Sequence, residues 1–143
     1  MMDTKVRLST LWVFVMFNFV YADVVALFDI VYNAKGNQSG VQFTPTTLLG
    51  VSILLEVPML MIILSRVLPL KANRWANIVA GVAYTVVTLL TQFIIPISSG
   101  TTTTYYLFFG AIEIAVTSLV VWYAWRWHNI PSQVGSTPEL ASR

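Results

Sequence analysis

Residues 44–67 read TPTTLLGVSILLEVPMLMIILSRV. The run has the length at which ~20 apolar residues cross a hydrocarbon core of ~30 Å. It nevertheless carries one carboxylate, Glu56, near its middle and a proline, Pro58, two residues later. A charge at that depth is costly and needs a partner or a proton. A proline inside a helix withdraws the hydrogen bond to the carbonyl four residues back, here Leu54, and in hydrocarbon that carbonyl needs another donor. A protonated Glu56 or a side chain from a neighbouring span would supply it, and a kink near Glu56 is expected.

The rest of the chain resembles this stretch. Of 143 residues, 57% are hydrophobic and 10% charged, against about 25% charged in a soluble domain. The charges lie mostly between long apolar runs, which places the chain in the membrane class. The net charge of +2 is small and the basic residues are not clustered, so no nucleic-acid partner is expected. The chain contains no cysteine, which excludes disulfides, thiolate metal sites and thiol redox chemistry. One histidine, His128, argues against a histidine-built metal centre. Without a glycine-rich phosphate loop, a histidine cluster or a nucleophile motif, neither catalysis nor a cofactor is expected.

Four spans follow, at about residues 8–32, 44–67, 75–96 and 104–127, forming a single all-α domain over residues 1–128. The start has the look of a signal peptide, with Lys5 and Arg7 before an apolar core and Val20-Tyr21-Ala22 after it. An uncleaved first span is preferred, because apolar character continues to Ile30. Asn37-Gln38-Ser39, in the loop NAKGNQSGVQF, matches a glycosylation acceptor that is common by chance. Thr44 and Pro45 form a helix start. The tail 129–143, rich in Pro, Ser and Gly, is expected to be disordered. Lys5, Arg7, Arg66, Lys71, Arg74, Arg126 and Arg143 fall on one side of a four-span topology and only Lys35 on the other. The positive-inside rule then puts both termini in the cytoplasm. Trp12, Trp75, Trp122, Trp125 and Trp127 lie toward that side as an expected aromatic belt, with Tyr32, Tyr105 and Tyr106 opposite.

Helical spacing sorts the polar residues. Span four carries Tyr106, Gly110, Glu113, Thr117 and Ala124 on one stripe, and span three carries Asn77, Gly81, Tyr84, Thr88 and Gln92. Ser52 and Glu56 share a face of span two, Asn18 and Asp29 one of span one, and Asp23 a different one. Polar faces turn toward other helices in lipid. The expectation is a four-helix bundle with Glu56 and Glu113 at similar depth in one interior, joined by Asp23, Asn18, Tyr84, Thr88 and Thr117 as substrate- or proton-binding residues. Two carboxyls in low dielectric can share a proton, which suits transport or binding of a cation. The same acids can instead simply hydrogen-bond across helices and fix their packing.

Three stretches carry a resemblance: KVRLSTLWVFVMFNFVYADV at 5–24, LSRVLPLKANRWANIVAG at 64–81 and YYLFFGAIEIAVTSLVVWYAWRW at 105–127. Together they resemble a family of small, mostly bacterial four-span membrane proteins catalogued as a domain of unknown function. In general architecture the chain is also similar to DoxX-like proteins, without a motif specific to them. The resemblance implies four spans in a bacterial cytoplasmic membrane and no reaction. Two functions stay open on the residues alone. One is a small transporter or substrate-binding protein, working as a homo-oligomer. The other is a structural or accessory protein for a membrane partner, whose acids only lock the bundle.

Overall fold

The computed structural model describes residues 3–33, 44–100 and 102–127. His128, the tail, Lys35, Arg143 and the Asn37 triplet lie outside them. The described chain is helical throughout: α1 (Thr4–Asn33), α2 (Pro45–Val67), α3 (Leu70–Thr88), a π-helical segment (Leu89–Ile94), α4 (Ile95–Ser99) and α5 (Thr104–Arg126). Four helical stretches, Thr4–Asp29, Leu48–Val67, Leu70–Ser99 and Thr104–Arg126, are long and apolar enough to cross a membrane. The chain therefore reads as a multi-pass membrane protein.

The third span starts at Leu70, immediately after Pro69 in extended conformation (φ −64°, ψ 153°), and it does not stop at Pro96. A proline ring clashes with the carbonyl four residues back. Here the turn before Pro96 widens instead, and the Ile95 amide reaches back five residues to the Leu90 carbonyl. Such local π adjustment lets a spanning helix keep a proline. The helix ends at Gly100, whose φ of 68° is the left-handed conformation glycine adopts without strain.

Helix α1 packs on α2 and α5, and α3 packs on α5; α2 and α3 meet less closely beyond their tight connection. The core runs through Leu8, Trp12, Val15, Met61, Tyr84, Val120 and Ala124. Gly81 lets α3 approach α5: a Cβ there would stand 2.7 Å from Val121 Cγ2 and 3.3 Å from the Thr117 carbonyl. Trp12, expected in the interfacial belt, is wholly buried. Its indole donates to Asn77 Oδ1 at 2.7 Å and its ring meets Tyr84 edge-on at 5.8 Å. Trp75, Trp122 and Trp125 remain exposed.

A buried polar network joins the helices at this end. Ser65 also donates to Asn77 Oδ1 at 3.2 Å, Asn77 donates to Asn73 Oδ1 at 2.6 Å, and Asn73 donates to the Ser65 carbonyl at 2.6 Å. Lys5 donates to the Leu68 carbonyl at 2.9 Å, closing the C-terminus of α2. Arg66 donates to Ser9 Oγ at 3.0 Å, and Ser9 donates to the Ile62 carbonyl at 3.0 Å. Arg7, Arg74 and Arg126 lie over Tyr123, Trp125 and Trp122 at 6.0, 5.8 and 4.8 Å. Basic and aromatic side chains thus share one end of the bundle.

Candidate functional site

Pro58 is fully buried, and α2 continues through it. The Leu54 carbonyl that it releases accepts a hydrogen bond from the Tyr84 hydroxyl of α3. Trp12 and Phe19 hold the Tyr84 ring by edge contacts at 5.8 and 5.7 Å. The donor is therefore a neighbouring span and not Glu56. A helix turns 100° per residue, so Glu56 stands 200° from both Leu54 and Pro58. With those two turned inward, Glu56 faces out, and it is exposed. The expected pair of interior carboxyls is thus not formed.

Glu113 is the interior acid, with 1% of its surface exposed. Its Oε1 accepts from Asn18 Nδ2 of α1 at 3.2 Å. Its Oε2 accepts from Thr88 Oγ1 at 3.1 Å and from Gln92 Nε2 in the π segment at 2.9 Å. Asn18 also donates to the Phe109 carbonyl at 3.1 Å, which fixes its amide between the two acceptors. One carboxyl therefore ties together the first, third and fourth spans through three neutral donors. Gly110, one turn before Glu113, leaves the space Gln92 fills: a Cβ there would overlap Gln92 Oε1 and stand 2.8 Å from Phe93 Cε2. The second amide atom, Gln92 Oε1, is buried without a hydrogen-bond partner among the described residues.

Of the residues expected at one site, Glu113, Asn18 and Thr88 come together. Thr117 lies one turn away, bonded to the Glu113 carbonyl at 2.8 Å and to Thr85 at 2.8 Å. Tyr84 serves the Leu54 carbonyl instead, and Asp23 is exposed, one position beyond the buried Ala22. Gln92 is the member the expected set left out, although it stands four residues after Thr88 on the same stripe.

Among the described residues no group of three or more His, Cys, Asp or Glu could hold a metal. A cleft of about 380 Å³ between Val82, Val86, Val121 and Trp125 and another of about 250 Å³ beside Lys71, Arg74 and Trp127 both lie away from Glu113. The cluster can thus hold a carboxyl in apolar surroundings; a proton can be taken up on the Glu113 carboxyl, and a small donor can be accepted at Gln92 Oε1. A family model described as a family of unknown function, DUF6326, matches residues 2–132. No curated protein and no solved structure matches the chain.

Proposed function

The chain belongs to DUF6326, a family of unknown function, so no activity comes with the family, and we propose that it is an accessory protein of the bacterial cytoplasmic membrane that docks another membrane-embedded chain. The observation that carries this reading is the separation of its two mid-span acids. Glu113 is sealed and fully engaged by side chains of the same molecule. Glu56 is exposed on α2 with no hydrogen-bond partner among the described residues. A carboxyl facing hydrocarbon is destabilised unless another chain supplies a partner. In this reading Glu113 locks the bundle and Glu56 recruits. Both termini lie in the cytoplasm, because Lys5, Arg7, Arg66, Lys71, Arg74 and Arg126 gather at one end, and no catalytic step is involved. A photo-cross-linking residue at position 56, activated in native membranes, tests it. Covalent protein adducts are expected, and adducts to lipid alone would overturn the docking role.

A second reading is favoured by Gln92 Oε1, a buried acceptor lacking a donor, set in a π turn of the kind that recurs at functional sites. In it Glu113, Asn18, Thr88 and Gln92 bind a proton or small cation for transport. Proteoliposomes under a pH gradient decide between the two. Transport lost in Glu113→Gln supports this second reading, whereas flux equal to that of empty vesicles excludes it.

A further inference from the structure

The two clefts away from Glu113 lie along one side of the α3–α5 contact. The smaller, of about 250 Å³, is bordered by Leu70, Lys71, Arg74, Trp75 and Trp127 at the basic end of the bundle. The larger, of about 380 Å³, has walls that include Val82 and Val86 of α3 and Ser118, Val121 and Trp125 of α5. Arg74 joins them: it borders the first, and its guanidinium lies 5.8 Å over the ring of Trp125, which borders the second. At 100° per residue, Lys71, Trp75, Val82 and Val86 fall within about 60° of one another on α3, and Ser118, Trp122 and Trp125 within about 60° on α5. The two helices thus frame a groove that is charged at its end and apolar along its length. From Arg74 to Val86 it runs about 18 Å at ~1.5 Å per residue, enough to cross the ~15 Å of hydrocarbon in one leaflet.

We propose that this groove holds one anionic phospholipid of the leaflet at the basic end, with its phosphate between Lys71 and Arg74 and one acyl chain between α3 and α5. The site stands apart from the docking role of Glu56, which lies on α2. Charge complementarity selects the occupant. Among the described residues neither Lys71 nor Arg74 has a hydrogen bond or an ion pair. Of the described acids only Asp3 lies at this end, and it does not border the cleft. A basic pocket between spanning helices is suited to an anionic headgroup. The Arg74 guanidinium can stack on the Trp125 indole and still present its donor fork to phosphate oxygens. Trp75 and Trp127 take the headgroup depth that indoles prefer. A zwitterionic lipid brings an ammonium of its own, which the two cations repel. Deeper in the groove Val82 and Val86 are 47% and 48% exposed, and their surroundings match a hydrocarbon chain and no soluble phosphate.

The test titrates the full chain in a mild detergent with phosphatidylglycerol, with phosphatidylcholine of the same acyl chains and with glycerol phosphate, and counts retained molecules by native mass spectrometry. One phosphatidylglycerol per chain is expected at concentrations about tenfold below those at which phosphatidylcholine is held. Lys71→Gln and Arg74→Gln should each weaken that retention about fivefold. Arg7→Gln removes a charge at the same end but over Tyr123, on the far side of α5, and should leave retention unchanged. Ser118→Phe narrows the groove from an exposed position and should also lower it. Equal retention of the two lipids, an Arg74→Gln chain as retentive as the native one, or an equal loss in Arg7→Gln overturns the site. Glycerol phosphate held as tightly as phosphatidylglycerol, or undiminished retention in Ser118→Phe, overturns the acyl groove and with it the phospholipid.

Discussion

Glu113 is held by donors alone, and that determines what its replacement does. In Glu113→Leu three hydrogen bonds are lost: Thr88 and Gln92 lose their shared acceptor, and Asn18 keeps the Phe109 carbonyl. At ~0.6 kcal/mol for each interhelical bond in a membrane, the variant should lose about 2 kcal/mol, read as a lower unfolding midpoint in detergent. Glu113→Gln should fall between it and the native chain, since it keeps one acceptor oxygen and sets its own amide donor against another. Gly110→Ala adds a methyl where Gln92 Oε1 lies and should cost about 1–3 kcal/mol. Part of that loss should return in a Gln92→Ala background, where the space is free; an undiminished loss would show that Phe93, and not Gln92, sets the limit. At this scale the sequence showed Asn18, Thr88 and Glu113 through helical steps on polar stripes. It misplaced Glu56 because α2 is apolar on every side, so sharing a face with Ser52 did not say which way that face turns. The angle to Pro58 did contain the answer, since the proline-freed carbonyl has to face a donor.

Prolines set the character of two elements. Pro58 frees a carbonyl of α2, and Tyr84 of α3 satisfies it. Tyr84→Phe should therefore cost about 1–3 kcal/mol, the usual consequence of stranding a buried acceptor. Pro58→Ala restores an amide to α2 itself, so in that background Tyr84→Phe should cost clearly less. A double-mutant cycle on thermal unfolding checks this, and strict additivity would refute the coupling. Pro96 acts differently. It is accommodated by the π segment that carries Gln92, and the sequence could not show this because a proline ordinarily reads as a helix end. The expected start of the third span at Trp75 has another cause: the stretch with Lys71 and Arg74 reads as a basic turn, although Pro69 in extended conformation begins the helix at Leu70.

Over the whole molecule the number of spans was legible from hydropathy and length, because the bilayer permits few alternatives. The pairing of helices was not, since it depends on which small residues admit a neighbour, as Gly81 does against Val121. The proposed orientation is testable with Asp3→Cys and Ser98→Cys, both exposed positions at opposite ends of the bundle. A membrane-impermeant maleimide added outside intact cells should label position 98 and leave position 3 unlabelled until the cells are opened. The reverse pattern would invert the topology. The three-donor grip on Glu113 also has a consequence for biosynthesis. Chains emerge N-terminus first, so Asn18, Thr88 and Gln92 enter the membrane before Glu113 arrives on the last helix, the least apolar of the four. Neutral amides and hydroxyls wait at lower cost than an acid would. The acid meets its complete set of donors on release, and a nascent chain that stops short of α5 is left with three unmatched donors that mark it as unfinished.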